Sequence, residues 1–228
     1  MGVKFPQLFQ LRIGNMEQNL QNLIRLNQLA ETVHERGYRV AVLLEGRDGA
    51  GKSGTIRTLT RYLPPYAHRI VPSFMPTKRM MKSWLPEWKK IMPKKGEIVF
   101  YDRSHYSRAL LQPVMGWCSR KQYDNFMNKV IAWEQDQPVL FVKLWLSVNE
   151  TKQRNLLERR ANDPLRYWKY SPNDEKAVSA FDQITVMKEK MFALGGWNII
   201  DMENRFYGRN QALKTIVEQI EQETSQIQ

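Results

Sequence analysis

The chain has 228 residues, 42% of them hydrophobic and 25% charged, which excludes intrinsic disorder and leaves room for one large domain. Its single cysteine, Cys118, excludes an intramolecular disulfide, and no Cys/His cluster has zinc-ligand spacing. Thirty-five Lys and Arg against 23 Asp and Glu give a net charge of +12, which directs attention to a polyanionic partner.

The N-terminal residues show no basic segment followed by an apolar leader, and no apolar run approaches the roughly 18 residues of a membrane span. A cytoplasmic location without a membrane partner is the expectation. Leu20, Leu23, Ile24, Asn27, Ala30 and Val33 recur at helical spacing up to Gly37, which predicts a first helix. The segments Arg39–Leu44, Arg69–Phe74, Glu97–Tyr101, Val139–Leu146 and Asn198–Met202 are largely continuous in Val, Ile, Leu and Phe, as in strands buried on both faces. Between and after them, helical patterns cover 52–62, 78–91, 120–136, 149–160, 174–193 and 209–224. Strands alternating with helices predict a three-layer α/β/α sandwich around a parallel five-stranded sheet, within a single domain spanning 1–228. The polar stretch Arg159–Asp174 carries Pro164, Pro172 and four cations beside Tyr167, Trp168 and Tyr170. It reads as a lid, at about 156–176.

Gly46-Arg47-Asp48-Gly49-Ala50-Gly51-Lys52-Ser53 satisfies the phosphate-loop pattern G-x-x-x-x-G-K-[ST], placed between a strand and a helix as the chemistry requires. Glycines let successive backbone N–H groups surround an oxyanion, and the helix N-terminus adds partial positive charge. Lys52 would neutralise a transferring phosphoryl group and Ser53 could offer its hydroxyl to Mg²⁺. Asp48 is unusual among phosphates; its placement suggests work on an acceptor phosphate or a metal, or alternatively a helix cap or a partner for Arg47. Glu97–Asp102 is an apolar strand ending in an acid, where Asp102 could hold Mg²⁺ beside the loop. Arg103 and Arg108 follow and could grip phosphoryl oxygens. His105 between them reads as a packed histidine, because phosphoryl transfer has little need of a neutral-pH base.

These motifs together resemble the polyphosphate kinase 2 family of P-loop kinases. The resemblance rests on Gly46–Ser53 running into Gly54-Thr55-Ile56 and on Gly96–Val99 leading to Asp102-Arg103-Ser104-x-Tyr106-x-Arg108. Val114-Met115-Gly116, Glu158-Arg159-Arg160, Asp163-Pro164 and Trp168-Lys169-x-Ser171-Pro172-x-Asp174 extend it. It covers roughly 20–207. It implies a P-loop kinase-like fold with a lid, and Mg²⁺-dependent, reversible phosphoryl transfer between inorganic polyphosphate and a nucleoside mono- or diphosphate. It also implies a homo-oligomer, dimer or tetramer. Lys52 would bind phosphate with Gly49, Ala50, Gly51, Ser53 and Gly54, Asp48 would orient the acceptor, and Asp102 would serve the metal. Arg103 and Arg108 would hold phosphoryl groups, and Arg159, Arg160 and Lys169 would make lid contacts. Ser53 stands where the family often has Gly, and His105 where an aromatic is expected.

Residues 61–110 hold eleven cations against three acids, and a long anionic donor would need such a channel. Arg79, Lys82, Lys89 and Lys90, on a helix with Trp84 and Trp88, are candidates to line it. Two other readings fit parts of the sequence. One is an ATP-dependent nucleoside monophosphate kinase of thymidylate-kinase type, which shares the sheet and loop. The other is a nucleic-acid-binding P-loop protein without kinase activity. No aromatic RNA-binding cluster or helix-turn-helix is present, so nucleic acid is not the expected partner.

Overall fold

The computed structural model describes residues 5–165, 167, 176 and 178–225, with side chains from residue 16 onward. Its five strands are β1 (Arg39–Gly46), β2 (His68–Val71), β3 (Glu97–Asp102), β4 (Leu140–Ser147) and β5 (Trp197–Asp201). They form one parallel sheet in the order β2-β3-β1-β4-β5. Period-two alternation sorts the central strand between two cores. Val40, Val42 and Leu44 face a cluster built on Leu26, Ala30 and Val33 of α1 (Phe5–Arg36), Ile56 and Leu59 of α2 (Lys52–Thr60), and Ile216, Val217 and Ile220 near the C-terminus. Ala41 and Leu43 face the opposite cluster, which holds Trp84, Trp88, Tyr106, Phe126, Val130 and Trp145. Helices on both faces bury the sheet twice, which is why its strands carry so few polar residues. The predicted α/β/α architecture is observed.

Element boundaries differ where proline intervenes. The helix expected over 78–91 is two: α3 (Lys78–Lys82) and α4 (Trp84–Lys89), broken at Ser83 with φ −127° and ψ 63°. Pro86 cannot donate to residue 82, and its ring would strike that carbonyl in a continuous helix. Strand β2 stops at Val71 rather than Phe74, because Pro72 has no N–H to continue the ladder. A short 3-10 helix (His105–Arg108), α5 (Leu111–Val114) and α6 (Arg120–Gln135) follow β3. Ser119 and Gln122 close a reciprocal capping box at the start of α6. After β4 come α7 (Glu150–Ala161), capped by Asn149, then α8 (Phe181–Phe192) and α9 (Arg205–Ser225). The predicted start of the helix at 174, and residues 166 and 168–175 of the lid stretch, Lys169 among them, lie outside the described residues. The first helix is longer than its apolar pattern indicated, and the last begins four residues earlier than expected.

Candidate active site

The loop between β1 and α2 leaves the sheet at Gly46, where a Cβ would stand 2.5 Å from the carbonyl oxygen of Leu146 on β4. No other residue type fits that approach. Gly51 caps α2 in the left-handed region at φ 97°, turning the helix N-terminus toward the loop interior. Lys52 then reaches back across the loop. Its Nζ donates to the carbonyls of Gly46 and Arg47, both at 3.0 Å. Burial, reinforced by the charge of Arg103, lowers the Lys52 ammonium to a pKa of about 8, against the pull of Asp48, Asp102 and Glu45.

The parallel register sets Asp102 opposite Leu44, at the same sheet edge as the loop. There Ser53 Oγ donates to Asp102 Oδ2 at 2.5 Å. Arg103, next along, has φ 71° and is the one non-glycine residue with positive φ among the described residues. Its Nη2 meets Asp48 Oδ1 at 2.5 Å, and its Nη1 lies 3.7 Å from Glu45 Oε2. Asp48 therefore pairs with Arg103, not with Arg47. Burial would raise the Asp48 carboxyl, but Arg103 and Lys52 outweigh it and hold its pKa below the ordinary range. Glu45 is moved the other way: burial raises it despite Arg103 and Ser104. The Asp48 side chain is 24% exposed and that of Glu45 0%, so Asp48 is the carboxylate of this pair that a ligand can reach.

Arg47 points away from the loop, donating through Nη1 to the Phe181 carbonyl at 3.1 Å and through Nη2 to Thr185 Oγ1 at 2.5 Å. Its guanidinium carbon lies 3.4 Å from the Phe181 ring centroid, and burial lowers its pKa to about 10. From the other side, α7 packs Gln153, Leu156 and Leu157 against Gly49. The last turn of α7 carries Arg159 and Arg160, and the charge of Arg160 is felt at Asp48.

Arg108 has different company. It is buried, donates from Nη2 to the Met81 carbonyl at 2.9 Å, stacks 4.7 Å over Trp84 and interacts with Cys118. Trp84 and Trp88 are core residues, so they do not line a channel. Of the candidate channel cations, Arg79 and Lys90 share Glu87, at 3.0 and 2.5 Å, while Lys82 and Lys89 are exposed. His105 is packed, as its type suggested. It lies against Trp88, Trp133 and Phe141, with Nε2 2.9 Å from Glu134 Oε1.

Sequence reasoning missed Glu45, Arg205 and Arg209. Arg205 Nη2 donates to the Gly49 carbonyl at 3.2 Å. A Cβ at Gly54 would come within 2.9 Å of Arg209 Nη2, so that guanidinium covers the first turn of α2. Two arginines four apart at the start of a helix were the available signal.

For a divalent cation, the donors at the loop mouth are Asp102, the Ser53 hydroxyl and the partly exposed Asp48. Among the described residues no group of three or more His, Cys, Asp or Glu converges into an all-protein cage. That sparse oxygen set fits Mg²⁺, which usually keeps one or two carboxylates and takes its remaining ligands from water and phosphate. Among the described residues no helix is long and apolar enough to cross a membrane.

Comparison with known proteins bears on the family and the fold. A family model described as polyphosphate kinase 2 matches residues 12–228. A GDP-polyphosphate phosphotransferase of Pseudomonas aeruginosa is 36% identical over 88% of this chain and 59% of its own length. One from Mycolicibacterium smegmatis is 33% identical over 85% of this chain and 72% of its own length. The chain thus spans roughly three-fifths to three-quarters of these relatives. The crystal structure of polyphosphate kinase 2 from Arthrobacter aurescens superposes with a TM-score of 0.81 at 22% identity, covering 89% of this chain and 76% of that one. That likeness supports the fold, and the sequence match carries the assignment: the chain belongs to the polyphosphate kinase 2 family.

Proposed function

We propose that this protein transfers a phosphoryl group between inorganic polyphosphate and a nucleoside mono- or diphosphate. The observation that carries the reading is the cluster at the loop mouth, where Lys52, Arg103, Asp48 and Asp102 meet at a helix N-terminus, in a chain of this family. Phosphoryl transfer asks the protein for positioning and charge neutralisation rather than covalent chemistry. The glycine loop (Gly49, Ala50, Gly51) and the first turn of α2 (Ser53, Gly54) cradle the phosphate to be moved. Lys52 and Arg103 neutralise its oxygens and Asp48 orients the acceptor, whereas Arg108, expected from the sequence to hold a phosphoryl group, is buried against Trp84 and the Met81 carbonyl and takes no part in this set. Asp102, Asp48 and Ser53 are the residues that would hold Mg²⁺, whose charge would offset that of the phosphoryl oxygens. Arg159, Arg160 and Lys169 belong to a lid over the site, and exposed Lys82 and Lys89 lead the donor toward it. We further propose a cytoplasmic homo-oligomer, a dimer or tetramer.

The test is to incubate the purified chain with polyphosphate, Mg²⁺ and each of AMP, ADP, GMP and GDP, and resolve the products. Formation of ATP or GTP from the diphosphate, or of the diphosphate from the monophosphate, without another donor is the expected result. Transfer that requires ATP as donor would assign the chain to the monophosphate-kinase alternative instead.

A further inference from the structure

A non-glycine residue in the left-handed region is held there at a cost, and it persists only where its surroundings over-determine it. Arg103 is such a residue, at φ 71°, and the groups that fix it are all present. Its own N–H donates to the Leu44 carbonyl at 3.1 Å, which ties its start to β1. Immediately after it, the N–H and the hydroxyl of Ser104 both donate to Glu45 Oε1, at 2.7 and 2.8 Å. The other oxygen of that carboxylate lies 3.7 Å from Arg103 Nη1. The same Ser104 hydroxyl accepts from the Tyr106 N–H at 3.2 Å and so caps the 3-10 helix. One buried carboxylate therefore grips the backbone just beyond the strained residue and attracts the head of that residue's side chain.

We infer that Glu45 is the positioning residue for Arg103: it holds the left-handed turn and thereby directs the guanidinium across Asp48 at the mouth of the phosphate loop. The alternation of β1 explains how a carboxylate comes to be there. Glu45 continues the row of Ala41 and Leu43, on the face where the turn after β3 packs. Gly46, the next residue, begins the loop. The end of β1 thus sets the loop with one residue and the arginine opposite with its neighbour. Glu45 is fully buried, so any effect it has on the site passes through Arg103. Its consequence for turnover rests on the phosphotransferase reading, whereas its hold on the turn does not.

Two measurements separate these. The first is the crystal structure of the Glu45→Ala variant of the full chain, or of Glu45→Met if the smaller side chain prevents folding. The expected result is that Arg103 leaves the left-handed region and its contact with Asp48 is lost, while Glu45→Gln, which keeps an oxygen for Ser104, retains the turn. Persistence of the turn and the Asp48 contact without any acceptor at position 45 overturns the inference, whatever the activity of the wild type. The second is a kinetic double-mutant cycle on polyphosphate-dependent transfer. Misplacement of a positioned group is expected to lower kcat about 10²-fold, with KM for polyphosphate nearly unchanged and Glu45→Gln recovering part of the loss. In an Arg103→Ala background, the same change at position 45 should cost nothing further. Losses that simply multiply show that Glu45 acts independently and overturn the inference. If the wild type transfers no phosphate, the functional reading fails, and the Arg103 backbone alone decides this one.

Discussion

Lys52 is a buried ammonium whose pKa has fallen to about 8, so its charge is available for binding only in part of the alkaline range. A phosphate chain that requires the protonated form should lose affinity about tenfold per pH unit above that value. Calorimetric titration of polyphosphate from pH 7 to 9.5 at fixed ionic strength measures this, and Lys52→Arg should flatten the limb. The effect on folding has the opposite sign. Unfolded Lys52 titrates near 10.5, so between about 8 and 10.5 the folded chain binds fewer protons and the stability contribution of this group rises with pH. Lys52→Ala and Asp102→Ala should each abolish transfer while circular dichroism shows the fold intact.

A second buried set lies deeper, and of it only the packed His105 was legible in the sequence. Lys143 Nζ sits 2.5 Å from Glu134 Oε2 and 2.7 Å from the Tyr106 hydroxyl, and His105 holds the other Glu134 oxygen. Lys143 interrupts the apolar run of β4 between Val142 and Leu144; it points at the Tyr106 ring and finds its acid near the end of α6. Removing one partner strands the other. Glu134→Leu should cost about 3–5 kcal/mol in urea unfolding, and adding Lys143→Met should restore most of it. Burial lowers His105, with Glu134 opposing. The unfolded chain therefore takes up a proton below about 6.5 that the folded chain resists, and stability falls with acidity by up to about 1.4 kcal/mol per pH unit. Replacing His105 by Phe should flatten that slope between pH 7 and 5.

At the level of elements, the strands were readable because continuous apolar runs have one physical explanation, burial on both faces. Breaks were readable only in hindsight, through Pro72 and Pro86. Glu45 was overlooked because a carboxylate beside a glycine loop looks like the start of a turn, although it is still within β1 and fully buried. Gly208 tests how closely α9 docks on the sheet. Exchanging a helical glycine for alanine ordinarily gains about 1 kcal/mol. Here the added Cβ would lie 2.3 Å from the Asp201 carbonyl oxygen and 2.5 Å from Met202 Sδ, and overpacking of that kind costs about 1–3 kcal/mol. The clash should win, so Gly208→Ala is expected to lower the urea midpoint.

Across the whole molecule, the charge of +12 is less available than its count suggests. Arg69 is committed to Glu97, Arg79 and Lys90 to Glu87, and Arg103 to Asp48 and Glu45. What remains exposed on α3 and α4 includes Lys82 and Lys89. Polyphosphate affinity should therefore fall steeply with added salt, and neutralising Lys82 and Lys89 together should make that dependence shallower. An unchanged salt slope would remove these lysines from the donor's path.

The grip of Arg47 on α8 has a mechanical corollary. Phe181 and Thr185 are held by a side chain whose backbone is one peptide bond from Asp48. A push or twist applied to that helix is thereby passed to the backbone beside Asp48, which, on the proposed reading, makes the first turn of α8 a lever on the placement of the acceptor.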